Sequence, residues 1–159
     1  MKRGIGNALI LLIAPKNRED TVKHQWQIVN NMGDCFTEDP LPERYDLIID
    51  AIVDYGLNGE PRENLASSIN RINSSETPIL SLDVPSGLDA TNGIPYSTCT
   101  KAASTLTLAL PNRGLLTEEA KPFVGELYLV DISVPQHLYE RMSLKVGPIF
   151  NKSSIIKIF

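Results

Sequence analysis

Three aspartates close apolar runs in this chain: Asp50 ends "DLIID", Asp83 ends "ILSLD" and Asp131 ends "LYLVD". The second is followed at once by "VPSGLDATNG", which adds Ser86 and Asp89 to the same turn. Carboxylates and a hydroxyl at a strand mouth can move protons or hold a hard cation, and they can equally do no more than shape a turn. One strand-end carboxylate is ordinarily a cap. Two in neighbouring βα units are a different matter. Asp50 and Asp83 lie 33 residues apart, the length of one βαβ unit, so both can face one crevice. Like charges in one pocket raise one pKa or recruit a cation. Ser86 has neither a GxSxG setting nor a base beside it in sequence, which argues against a nucleophile. His24 falls in a helical stretch and His137 in a late turn, and both read as surface or packing residues, as do Tyr55, Tyr96, Tyr128 and Tyr139. Asn112 and Arg113 follow "LTLALP" at a further strand end.

The elements that must position these residues alternate between two periods. "ALILLIAP" (8–15) is apolar throughout, as in a strand of a parallel sheet buried on both faces. The segment 17–33 has Asn17 as N-cap, acids in its first turn, Val22, Trp26 and Val29 at helical spacing, and Gly33 as a stop. "YDLIIDA" is the next buried strand. The stretch 59–75 then places Pro61 at a first helical position and Leu65, Ile69 and Ile72 on one face. "PILSLDVPSG", "STLTLALP" and "GELYLVDISVP" supply three more strands, and the tail from Leu144 has room for a short additional one. Strands alternating with helices predict an α/β fold with a mainly parallel sheet. Ligands of such sheets gather outside the carboxyl ends of the strands, where the aspartates stand.

The bulk properties limit what the site can serve. A chain of 159 residues suits one domain. A net charge of −4 supplies no basic excess for nucleic acid. Cys35 and Cys99 have no ligand-spaced partners, which predicts neither a zinc site nor a disulfide framework and suits a reducing cytoplasm. The longest apolar run is far short of the roughly 20 residues that span a bilayer, and no cleavage pattern follows it, so neither a membrane anchor nor a signal peptide is expected.

"DLIIDAIVDYGLNGEPRENLASSIN", "PILSLDVPSGLDATNG", "TLTLALPNRGL" and "VGELYLVDISVP", in that order and spacing, resemble the YjeF N-terminal domain family, the NAD(P)H-hydrate epimerases. The resemblance runs from about residue 8 to the C-terminus. It implies a Rossmann-like three-layer α/β/α sandwich, commonly a homodimer, that interconverts the R and S forms of hydrated NADH and NADPH in nicotinamide nucleotide repair. It makes Asp50 and Ser86 similar to the family's potassium ligands and Asp83 similar to its substrate-contacting aspartate, here the candidate acid/base. The loop Asp54, Tyr55, Gly56, Leu57, Asn58, Gly59 and Glu60 is similar to its substrate loop.

Several positions depart from the family pattern. That pattern opens with helices, a strand and a glycine-rich NNGGDG loop that holds substrate and gives one potassium ligand. No such loop occurs here, and "RGIGN" (3–7) precedes a strand instead of following one. The resemblance therefore implies an N-terminally truncated domain, with the missing loop lost or carried by a separate polypeptide. Asp54 stands where the family has glycine, and Asn112 where lysine is common. At about 4 Å from a phosphate, a carboxylate at position 54 would be repelled by on the order of 4 kcal/mol at an effective dielectric of 20. Three readings stay open: an epimerase, alone or as one half of a split enzyme; a non-catalytic interaction module of the same fold; and, less favoured because no GxGxxG follows a strand, a generic nucleotide-binding domain.

Overall fold

A computed structural model describes residues 10, 11, 24, 27, 28, 31, 36, 37, 46–53, 57 and 59–159. The chain divides into two compact units, Met1–Arg44 and Tyr45–Phe159. In the first, β1 (Ile10–Leu11) pairs in parallel with β2 (Phe36–Thr37), Ile10 opposite Phe36. His24, Gln27 and Ile28 are helical, and His24 is exposed, as its place in a helical stretch suggests. Asn31 closes a turn by donating its N–H to the Gln27 carbonyl at 3.0 Å.

The second unit is a five-stranded sheet in the order β3-β4-β5-β6-β7. Its strands are β3 (Ile48–Asp50), β4 (Ile79–Leu82), β5 (Ser104–Leu108), β6 (Glu126–Val130) and β7 (Ile155–Lys157). The first four run parallel, and β7 closes the edge antiparallel to β6. This is the α/β architecture that the alternation of periods predicts, with the short tail strand resolved at Ile155–Lys157.

Helix α1 (Glu63–Asn73) follows β3, starting two residues later than Pro61 suggests. Leu65, Ile69 and Ile72 recur at helical spacing, and Ile69 and Ile72 are buried. Glu63 in the first turn and Arg71 in the last complement the helix dipole. Ser74 ends the helix by giving both its N–H and its hydroxyl to the Asn70 carbonyl. A 3-10 turn (Arg113–Leu116) and the short helices α2 (Lys121–Val124) and α3 (Gln136–Arg141) connect the remaining strands. His137 lies in α3, not in a turn, and is exposed.

One face of the sheet carries Ile79 and Ser81 of β4, Thr105 and Thr107 of β5, and Leu127 and Leu129 of β6, all buried. The core beside it joins Val84, Leu88, Ala90, Cys99, Leu115, Ala120, Val124 and Leu127, with Phe123 and Phe159 packed against it. The other face is apolar but open: Ile49, Leu82 and Leu108 are 58%, 42% and 40% exposed. The run around β3, read from sequence as a buried strand, is thus buried on one face only. Among the described residues no helix is long and apolar enough to cross a membrane.

Candidate functional site

The parallel register sets the site's frame. Asp50 is opposite Ser81 across the β3–β4 ladder, so Asp50 and Asp83 both stand at the carboxyl edge. Asp131 follows β6 at the same edge, because β5 and β6 are also parallel. The structure brings the three strand-end aspartates together on one side of the sheet and gives each a different environment.

Asp50 is 1% exposed, and its two oxygens collect four hydrogen bonds. The Ser81 hydroxyl donates to Oδ2 at 2.8 Å and the Ser86 N–H to the same oxygen at 2.9 Å. The Ser86 hydroxyl donates to Oδ1 at 2.6 Å, and the Ile52 N–H approaches Oδ1 at 3.4 Å. Asp50 has no ion-pair partner among the described residues. Its charge is nevertheless felt nearby: burial, and then the Asp50 carboxylate, push the Cys99 thiol up to about 12.

Ser86 is also buried, and its hydroxyl oxygen accepts the Val53 N–H at 2.9 Å and lies 3.3 Å from the Val53 carbonyl. Asp50 Oδ1, Ser86 Oγ and the Val53 carbonyl therefore form a run of neighbouring oxygens around one buried negative charge. Thr100, whose N–H donates to the Ser86 carbonyl at 2.8 Å, holds a buried hydroxyl with no hydrogen-bond partner among the described residues. Hard oxygen donors around a carboxylate with no cationic partner among the described residues suit a hard cation and not a soft metal. Among the described residues no group of three or more His, Cys, Asp or Glu side chains could hold a metal ion.

Asp83 is half-buried, and its backbone is left-handed, with φ of 62°. That conformation is uncommon outside glycine, though Asp tolerates it better than most residues. Three interactions hold it. Its N–H donates to the Leu106 carbonyl at 2.8 Å, and Oδ1 accepts the Thr107 hydroxyl and the Leu108 N–H, each at 3.1 Å. The carboxylate thus turns to the end of β5, whereas Asp50 turns to β4 and the turn behind it. Asp89 and Asp131 prove to be turn formers: Asp89 Oδ1 accepts the N–H groups of Thr91 and Asn92, and Asp131 Oδ1 that of Ser133.

Of the loop 54–60, residues 54, 55, 56 and 58 lie outside the described residues, which takes in Asp54, Tyr55, Gly56 and Asn58. The others are tied to one short segment. The Gly59 N–H donates to the Tyr96 hydroxyl at 3.0 Å, and that hydroxyl donates to the Leu57 carbonyl at 3.4 Å. Glu60 accepts the Ser97 N–H and hydroxyl. Tyr96 is therefore more than the packing residue its sequence context suggests. It lies 37 residues from Gly59, and no local pattern marks the pairing.

Residues 1–114 match the family described as YjeF-related protein N-terminus. An NAD(P)H-hydrate epimerase of Dehalogenimonas lykanthroporepellens is 40% identical over 100 residues, covering 63% of this chain and 39% of that protein. A bifunctional NAD(P)H-hydrate repair enzyme of Leishmania braziliensis is 34% identical over 125 residues, covering 76% of this chain and 22% of its own length. The chain thus spans well under half of either relative. The crystal structure of the yeast protein ynu0 superposes with a TM-score of 0.74 at 17% identity, covering 96% of this chain and 66% of that one, a likeness of fold.

Proposed function

The chain belongs to the YjeF-related protein N-terminus family, and on that premise we propose that it is an NAD(P)H-hydrate epimerase, interconverting the R and S epimers of hydrated NADH and NADPH. The observation that carries the reading is Asp83, a carboxylate held in left-handed backbone at the carboxyl edge by Thr107 and Leu108, one strand from the buried Asp50–Ser86 pair.

Inversion at the carbinol carbon of the hydrated nicotinamide requires its C–O bond to break and reform, or the ring to open and close. Either route delivers a proton to oxygen and later removes one. Asp83 suits both halves. Its Oδ1 is occupied by two donors, and its Oδ2 has no partner among the described residues, so one oxygen fixes the carboxyl group while the other exchanges the proton. In the C–O route the carboxylic acid protonates the departing hydroxyl, which leaves as water. The carboxylate then takes a proton from the water that adds to the opposite face, restoring the acid.

Asp50, Ser86 and the Val53 carbonyl would hold a potassium ion, which supplies positive charge beside the loop that approaches the substrate phosphates. The absence of a cationic side chain from the described surroundings of Asp50 supports this. Resemblance to the family supports a homodimer and a cytoplasmic location. The chain's own contribution to binding is the 57–60 segment and Asp83.

Chromatography of the two epimers after incubation with the chain, alone and with an NNGGDG-bearing subunit, tests the reading. We expect equilibration that Asp83→Asn slows by about 100-fold or more, since the amide keeps the shape but cannot cycle a proton. A rate that survives Asp83→Asn, or no equilibration in either arrangement, would sink the assignment. Thermal melts in potassium, sodium and a bulky organic cation at equal ionic strength test the cation, since a ligand of the folded state raises its apparent stability. We expect the highest midpoint in potassium and no such difference in Asp50→Asn; identical wild-type curves remove the ion.

A further inference from the structure

We infer that Tyr96 is a positioning residue for the substrate loop, coupling its far end to the turn that carries Asp83 and Ser86; the inference rests on the functional reading above for what the loop contacts. The hydroxyl uses its capacity in two directions, accepting the Gly59 N–H at 3.0 Å and donating to the Leu57 carbonyl at 3.4 Å. Gly59 has φ of 107°, and among the described residues nothing lies within 4 Å of the place a Cβ would take. Glycine is therefore required there by the backbone conformation that aims its N–H at Tyr96, and not by lack of space.

Tyr96 is itself fastened to the catalytic turn. Its N–H donates to the Gly87 carbonyl at 2.9 Å, and Leu88 forms a bridge with Pro95. Gly87 is packed so closely that a Cβ would fall 2.1 Å from the Thr98 carbonyl oxygen. The near end of the loop is held by the same turn, because the Ser86 hydroxyl accepts the Val53 N–H at 2.9 Å. Val53, Leu57, Gly59 and Glu60 are thus held by one stretch of chain, residues 86–97, with the Ser97 N–H and hydroxyl both donating to Glu60. A loop set in this way meets a ligand with less ordering left to do, and the contribution of such pre-organisation appears in binding.

Tyr96→Phe deletes one oxygen and keeps the ring. In the wild-type protein and this variant, two quantities separate positioning from stability: amide exchange at Gly59, and the affinity and stoichiometry for hydrated NADPH in a calorimetric titration. We expect Gly59 exchange about five- to tenfold faster, with β4 and β5 amides unchanged, and a Kd about fivefold weaker at unchanged stoichiometry, the effect of about one neutral hydrogen bond. A structural role alone would lower stoichiometry and leave Kd in place. Unchanged Gly59 exchange overturns the anchoring, and faster exchange at unchanged Kd overturns the positioning role. A wild-type protein that binds no hydrated NADPH overturns the functional reading, a result separate from the exchange comparison.

Discussion

Asp50 and Asp83 end adjacent parallel strands, carry the same side chain and stand at the same edge of the sheet, yet the fold treats them in opposite ways. Asp50 is sealed from water, and donors from β4 and the following turn reach both of its oxygens. Asp83 is half-buried on left-handed backbone, with one oxygen bound to β5. A buried carboxylate that accepts several hydrogen bonds, with no counter-charge among the described residues, is a structural anion, and it is costly unless something compensates it. A half-buried carboxylate with an oxygen to spare can exchange a proton. The same residue type thus serves as a keystone on one strand and as a reagent on the next, and the partners decide which.

The comparison breaks first at Asp50. Replacing it with alanine takes the partner from the Ser81 hydroxyl and the Ser86 N–H in a dry site and leaves the Ser86 hydroxyl only its Val53 contacts, and should lower unfolding free energy by about 3–5 kcal/mol in urea titrations. A loss below about 1 kcal/mol would show that water reaches these groups. Ser86→Ala comes next. It removes one donor to Asp50 and the acceptor of the Val53 N–H, and about 2 kcal/mol of destabilisation is expected by the same measurement.

Asp83→Asn should change stability by less than about 1 kcal/mol, because an amide oxygen can still accept from Thr107 and Leu108. A large loss of stability there would place Asp83 in the same structural class as Asp50. The gentlest test reads Asp50 through its neighbour. The Cys99 thiol, raised from 9.0 to about 12 by burial and by Asp50, stays protonated in the folded chain where the unfolded chain ionises. Its contribution is therefore complete below about pH 9 and is lost as pH rises toward about 12. Cys99→Ala should flatten the stability profile over that window; parallel profiles would show that the thiol is not held neutral.

Much of this molecule follows from local pattern. Apolar runs of strand length and the spacing of Leu65, Ile69 and Ile72 are enough to predict a mainly parallel α/β sheet with a helix after β3, because periodicity is a property of neighbouring residues. The placement of Asp50 and Asp83 at one edge follows too, since each ends a run in the same βα setting. What the chain does with those residues depends on register. Ser81 meets Asp50 because β3 and β4 align those two positions, and Thr107 meets Asp83 because a left-handed step turns the aspartate toward β5. The open face at Ile49, Leu82 and Leu108 was hidden for a similar reason: a run of apolar residues does not state which side will be covered. Tyr96 shows the limit most clearly. A phenol whose partners lie 37 and 39 residues away leaves no trace in local periodicity, and only the crossing of two loops over the carboxyl edge gives its hydroxyl a role.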